Sequence, residues 1–101
     1  MDEEIINKVK TLAELAKEFL KFDKVIIFGS YANGKFNQES DIDVAFIVDH
    51  ILENHFKLSA KLFELVYYID ARIEPVIIGR ENDRSGFFDS IIKNGKEVVL
   101  N

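Results

Sequence analysis

Two apolar stretches of strand length, separated by a glycine and a short loop, restrict most strongly what this chain can fold into. Residues 25–28 form a continuous, β-branched apolar run that ends at Gly29, which is typical of a strand buried on both faces. A second strand is predicted over residues 40–48, where Asp41 and Asp43 alternate with apolar residues. Since alternate residues of a strand share a face, both aspartates should lie together at one end of the sheet, beside the core.

Helical periodicity surrounds these two strands. Residues 2–22 and residues 51–68 place apolar side chains at three- and four-residue steps, which predicts two helices that pack against a core. A helical turn over residues 31–33, closed by Gly34, and a polar loop over residues 35–39 are expected to connect the strands.

The last third of the chain predicts one more strand and a short helix. Residues 71–78 have strand composition, but Pro75 removes a backbone donor, which favours a sheet edge or a bulge. Residues 87–94 indicate a short helix ended by Gly95, and residues 98–100 a short strand or an apolar tail. The order helix, strand, strand, helix, strand, helix predicts a small α/β or α+β sheet flanked by helices.

Composition narrows the kind of protein to which such a sheet belongs. The chain has 101 residues and is 48% hydrophobic, which suits one domain over residues 1–101. A net charge of −5 argues against a broad basic surface for nucleic acid or anionic membrane, and the lack of cysteine excludes disulfides and thiolate metal sites. With no apolar run of about 18 residues and no basic leader, we expect a cytoplasmic protein with no direct nucleic-acid or membrane partner.

The two aspartates require a compensating charge. Same-face neighbours on a strand lie about 6 to 7 Å apart, so Asp41 and Asp43 can converge on one space, where like charges beside an apolar core are costly without a cation. Oxygen ligands alone favour Mg²⁺ or Mn²⁺ over Zn²⁺. A third ligand should come from the next strand, where Glu74 is preferred to Asp70, which is expected to be an exposed turn residue. Three carboxylates could bind two Mg²⁺ ions about 4 Å apart together with a nucleoside triphosphate.

The Gly-Ser corner supplies groups that suit a phosphate. Gly29 permits a tight turn and close backbone approach, and Ser30 could cap the following helical turn and donate its hydroxyl to a phosphate oxygen. The N–H groups of that turn would point at an anion. A Gly-Ser dipeptide alone is a weak signal, but the Asp-x-Asp pair on the next strand strengthens it.

Taken together, GSYANG at residues 29–34 and SDID at residues 40–43 resemble the signature of the minimal nucleotidyltransferases, small members of the DNA polymerase beta superfamily. The resemblance implies an α+β fold with a mixed sheet and flanking helices. It also implies that Gly29, Ser30 and Gly34 bind the nucleotide, and that Asp41, Asp43 and Glu74 are the catalytic, metal-binding carboxylates. Mg²⁺ and ATP are the implied cofactor and substrate.

The family also implies a partner. Many such domains resemble the antitoxin half of a two-gene module, in which they add AMP to a tyrosine of a helical HEPN ribonuclease toxin. Two departures, Glu74 where Asp is commoner and Asn33 where a basic residue is common, keep a second reading open, an antitoxin that neutralises its partner by occlusion alone. A third reading is an aminoglycoside-type transferase that acts on a small molecule through a homodimer.

Two aromatic pairs have no place in this motif. Tyr67-Tyr68 and Phe87-Phe88 are interpreted as core or interface residues, and an adenine-binding platform is the less favoured use.

Overall fold

The sheet and its helices are described by a computed structural model for residues 3–35, 37, 39–82 and 86–100. Within these residues the elements are, in chain order, α1 (Glu3–Ala16), β1 (Lys24–Phe28), α2 (Ser30–Asn33), β2 (Ile42–Val48), α3 (His55–Ile69), β3 (Ile73–Gly79), a 3-10 turn (Arg80–Asn82), α4 (Phe87–Asn94) and β4 (Lys96–Glu97). The predicted α+β class and the predicted order of helices and strands are confirmed.

The strands found in the described residues form one mixed sheet in the order β3-β2-β1-β4. β1 and β2 pair antiparallel, whereas β2 and β3 pair parallel, so the chain must cross over between them, and α3 makes that crossover. β3 lies at the edge of the sheet, as Pro75 predicted. This topology brings the C-terminal end of β1 and the N-terminal ends of β2 and β3 to the same end of the sheet.

Helices cover both faces of the sheet. On one face α1 and α3 bury the larger apolar cluster, which includes Leu12, Phe46 and Leu62. On the other face Ile91 of α4 packs with residues of β1 and β2, among them Ile47. β2 is consequently buried from Val44 to Val48, and within the strand only Asp43, near its start, is partly exposed. No helix in the described part of the chain has the length and apolar character that crossing a bilayer needs.

The first helix is shorter than its periodicity predicts. It ends at Ala16 rather than at residue 22, because the backbone tightens there: the N–H of Phe19 donates to the carbonyl of Ala16 at 3.1 Å, a three-residue step. The chain then turns and buries Leu20, and the ring of Phe22 packs edge-on against Phe46 with centroids 5.1 Å apart. The apolar residues after Ala16 therefore serve the core from a turn.

The last strand precedes residues 98–100, which form the apolar tail predicted as the alternative to a strand. It is formed by Lys96–Glu97, which pair with Ile27 and Ile26, and not by residues 98–100. Gly95 approaches β1 so closely that a Cβ there would lie 2.5 Å from Cγ2 of Ile26, so pairing begins directly after the glycine. Smaller differences concern the starts of the other long elements: β2 begins at Ile42, α3 at His55 and β3 at Ile73, each later than the apolar pattern indicates.

Candidate active site

Gly29 is fixed by its backbone and by a neighbouring carboxylate. It joins β1 to α2 with φ 73° and ψ −148°, a conformation that is nearly restricted to glycine. A Cβ on Gly29 would also collide with Oδ2 of Asp43. The turn therefore has this form only because residue 29 has no side chain. The Asp43 carboxylate packs directly against the backbone of Gly29.

The turn after Gly29 differs from the prediction in one respect. Gly29 itself occupies the N-cap position and Ser30 is the first helical residue, so the predicted capping role of Ser30 is wrong. The amides of Ala32 and Asn33 both donate to the carbonyl of Gly29, at 3.1 and 3.2 Å, and are engaged within the turn. The contact of the Ser30 hydroxyl with a phosphate oxygen stays a prediction.

Gly34 ends the turn, as predicted. It has a left-handed backbone with φ 78° and ψ 7°, and its N–H donates to the carbonyl of Ser30. This conformation explains a glycine at position 34 without any ligand, so its predicted contact with the nucleotide is still a prediction.

Three carboxylates meet at the end of the sheet beside this corner. Asp43 pairs in register with Phe28 of β1 on one side and with Glu74 of β3 on the other. Paired residues of neighbouring strands point to the same face, and adjacent strands lie about 4.8 Å apart, so Asp43 and Glu74 are side by side. Asp41 lies just before β2, on the same side as Asp43.

The electrostatics show how closely the three groups interact. The charge of Asp41 is the main cause that raises the pKa of Glu74 above its usual 4.5, with burial, the charge of Asp43 and a hydrogen bond with Asp41 as further causes. Burial raises the pKa of Asp43 above its usual 3.8, and the charge of Asp41 adds to this. The charge of Asp41 therefore makes ionisation of both Asp43 and Glu74 less favourable.

These groups fit a hard divalent cation by their chemistry. All three offer only oxygen atoms, and a cation would offset both the burial that raises the pKa of Asp43 and the repulsion that raises the pKa of Glu74. The described residues contain no group of three acidic, histidine or cysteine side chains already arranged as a metal site. The fit therefore rests on charge and donor type, and metal binding would draw the carboxylates together.

Asp70, the other candidate for the third carboxylate, has a structural role. It follows α3 directly, and its side chain is 9% exposed, which contradicts the predicted exposed turn residue. It accepts hydrogen bonds from the amide, Nε and Nη2 of Arg72 at 3.0, 3.0 and 2.7 Å, and from Nζ of Lys8 at 3.0 Å. The bonds from Arg72 hold the pKa of Asp70 well below its usual value. This carboxylate is already neutralised by two cations, and Glu74 remains the predicted third carboxylate of the site.

Arg72 connects Asp70 to the Gly-Ser turn, a link that the sequence did not reveal. Its Nη1 donates at 3.0 Å to the hydroxyl of Tyr31, which is the buried residue of α2. The Tyr31 hydroxyl in turn donates to the carbonyl of Asn37 at 3.3 Å. An acid two residues before a base at a strand start is the only sequence signal of this link, and it is common in proteins.

The same residues fix the chain on both sides of Asp41. The amide of Ser40 donates to the carbonyl of Asn37 at 3.1 Å, and the amide of Ile42 donates to the carbonyl of Arg72 at 2.8 Å. Asp41 lies between these two anchored residues although it is outside the strand. Arg72 thus donates to Tyr31 in the turn and accepts from Ile42 directly after Asp41, so one residue joins the turn to the backbone beside the aspartate.

Comparison with known proteins identifies the family of the chain. A family model described as "Polymerase beta, Nucleotidyltransferase" matches residues 10–101. The chain is 35% identical over 101 residues to a Methanocaldococcus jannaschii protein named "Putative protein adenylyltransferase MJ0141", covering 94% of this chain and 99% of that protein.

Solved structures show the same fold. A chain from a crystal structure of a toxin-antitoxin with AMP-PNP superposes with a TM-score of 0.62 at 22% identity, covering 94% of this chain and 74% of that chain. A chain from a structure of tri-AMPylated Shewanella oneidensis HEPN toxin with MNT antitoxin gives a TM-score of 0.58 at 19% identity, covering 97% and 73%. With a family model that matches nearly the whole sequence, the chain belongs to the polymerase beta nucleotidyltransferase family.

Proposed function

We propose that this protein transfers AMP from ATP to a tyrosine hydroxyl of a HEPN-type toxin, in a Mg²⁺-dependent reaction, and so acts as the antitoxin of that partner. The observation that carries the proposal is the register that sets Asp43 beside Glu74, next to the glycine corner. Membership of the nucleotidyltransferase family gives the reaction class. The similarity to a named protein adenylyltransferase supports a protein as the acceptor.

Each part of the site has a role in this proposal. Asp41, Asp43 and Glu74 would hold Mg²⁺, which when bound neutralises phosphate charge and orients the triphosphate. Gly29 lets the backbone approach the phosphates, and Ser30 offers its hydroxyl to a phosphate oxygen. In the transfer, the acceptor oxygen forms a bond to the α-phosphorus of ATP and the bond from that phosphorus to the β-phosphate oxygen breaks. Pyrophosphate leaves, and the hydroxyl proton passes to a carboxylate of the site.

The partner and the nucleotide are supported by two related folds. One was crystallised as a toxin-antitoxin with AMP-PNP, an analogue of ATP, and the other contains a tri-AMPylated HEPN toxin with its MNT antitoxin. We therefore propose ATP as the donor and a HEPN-type protein as the acceptor. The reaction would take place in the cytoplasm, where ATP is available.

The direct test is transfer of label from ATP labelled at the α-phosphate. The protein is incubated with ATP and Mg²⁺, alone and with the protein encoded by the adjacent gene as the candidate HEPN-type partner, and each chain is then analysed for label. We expect label on the partner, at a tyrosine, and none when EDTA removes Mg²⁺. Asp41→Asn or Asp43→Asn should reduce transfer by at least about 100-fold, because each removes a metal ligand. Wild-type transfer by either variant would refute the proposed site.

A matched control lies at the other end of the same strand. Asp49 directly follows β2, is exposed and lies 3.7 Å from Nε of Arg80, so Asp49→Asn removes a similar charge far from the corner. It should leave transfer unchanged.

The same variants separate catalysis from occlusion. If the protein neutralises its partner by binding alone, Asp41→Ala with Asp43→Ala will still suppress the partner's ribonuclease activity. Under the proposed function this double variant fails to suppress it, although the complex still forms in a pull-down.

A further inference from the structure

Helix α3 has a second apolar side that the core does not use. Leu58, Leu62 and Val66 are buried toward α1 and the sheet. On the opposite side, Phe56, Ala60, Phe63 and Tyr67 are exposed, and we call these four residues the outer face of α3. Their spacing of four, three and four residues is the seam spacing of a two-helix coiled coil.

The outer face is a contiguous aromatic surface. Phe56, Phe63 and Tyr67 are 78%, 50% and 77% exposed. At about 200 Å² for a whole aromatic side chain, these exposures leave about 400 Å² of aromatic surface. Contiguous apolar patches of that size on a monomer are often sites of association.

We propose that the outer face binds the same face of a second copy of this chain, in an antiparallel, two-fold symmetric pair of α3 helices. In this arrangement Phe56 meets the partner's Tyr67, and the small Ala60 meets the large ring of the partner's Phe63. Each contact occurs twice, as an isologous interface requires. The sizes along the face are thus self-complementary only when the helices run in opposite directions.

Charge gives the same orientation. Lys57 and Glu64 are both exposed and flank the outer face along one side, one residue after Phe56 and Phe63. In an antiparallel pair the corresponding flanking positions of the two helices face each other, so Lys57 lies opposite the partner's Glu64. A parallel pair would place the equivalent flanking positions of the two helices on opposite sides of the seam, so Lys57 would not face the partner's Glu64. The surface therefore selects a second copy in one orientation.

The area predicts a weak dimer. About 400 Å² per copy is half of the about 800 Å² that a standard stable interface buries on each partner. Dissociation constants in the micromolar range or above are expected, so the mass should depend on concentration.

Sedimentation velocity of the full chain, from about 1 µM to about 1 mM in low salt, tests this inference. We expect the wild type to pass from monomer to dimer over this range, and Phe63→Glu to stay monomeric with unchanged circular dichroism. Leu15→Glu, an equally polar change at a 46% exposed residue of α1, is the matched control and should dimerise like the wild type.

Charge reversal tests the orientation. Lys57→Glu alone and Glu64→Lys alone each place like charges opposite each other at two points, and each should raise the dissociation constant by about 3- to 10-fold. The double variant K57E/E64K exchanges the charges and should restore wild-type association. A wild type that is monomeric at the highest concentration, or a double variant no better than the single ones, overturns the inference. The inference is also overturned if the wild type stays monomeric and Phe63→Glu abolishes binding of a HEPN-type partner, because the outer face would then serve that partner.

Discussion

Replacement of Gly29 by alanine should destabilise the fold clearly more than the same replacement at Gly34, although both glycines have positive φ. Gly34 has φ 78° and ψ 7°, and nothing in the described part of the chain lies within 4 Å of a Cβ built there. Gly29 has φ 73° and ψ −148°, and its Cβ would collide with the Asp43 carboxylate. The two sites thus separate left-handed backbone strain from strain combined with collision.

The magnitudes follow from these two environments. An alanine in the left-handed helical region costs about 1 to 2 kcal/mol, and this is the expected effect at Gly34. At Gly29 the rarer backbone conformation costs about 1 to 3 kcal/mol. Displacing a packed side chain adds about 1 to 3 kcal/mol. The expected loss of unfolding free energy is therefore about 2 to 6 kcal/mol for Gly29→Ala.

Urea denaturation followed by circular dichroism measures both losses, with equal slopes required for the comparison. In an Asp43→Ala background the collision is removed, so Gly29→Ala should then cost only its backbone part, and the cycle gives the coupling between the two residues. If Gly29→Ala and Gly34→Ala differ by less than about 0.5 kcal/mol in the wild-type background, the close approach of Gly29 to Asp43 does not constrain the fold.

Three further predictions concern the residues behind the site. Asp70→Asn should lower the free energy of unfolding by about 2 to 3 kcal/mol near neutral pH, because it weakens charge-assisted hydrogen bonds. Since the folded-state pKa of Asp70 lies below 3.8, the stabilisation by its carboxylate is present above about pH 4 and should shrink as the pH falls, which denaturation curves from about pH 7 to about pH 2.5 measure. Tyr31→Phe should lower the free energy of unfolding by about 1 to 2 kcal/mol, since the hydroxyl joins Arg72 to the carbonyl of Asn37. Tyr68→Phe, at an 84% exposed ring, should cause no measurable loss. Phe46→Ala, in the centre of the core, should cost about 3 to 5 kcal/mol by the same measurement.

Elements with strong local signals could be predicted from the sequence. The apolar run of β1 lies one residue inside the observed strand, Lys24–Phe28, and α4 has its predicted bounds because Gly95 ends it. The edge position of β3 followed from Pro75, which lacks an N–H group. These features depend on a residue and its immediate neighbours, which the sequence displays directly.

Features that depend on distant partners were predicted less well. Asp70 looked like an exposed turn residue, but Lys8, far away in the chain, and Arg72 neutralise it in the fold. The strand near the C-terminus lies at Lys96–Glu97 because Gly95 can pack against β1. Neither the ion pair with Lys8 nor the approach of Gly95 to β1 is indicated by the residues near it in the sequence.

The candidate site shows the same division. The sequence alone determined that Asp41 and Asp43 share a face and that a glycine turn lies beside them, because the period of a strand and the freedom of glycine are local properties. Only the tertiary structure decided that Glu74 lies opposite Asp43, since this depends on the register between β2 and β3. A shift of that register by one residue would turn Glu74 to the other face of the sheet, so the third carboxylate is placed by strand pairing and packing rather than by the chain near it.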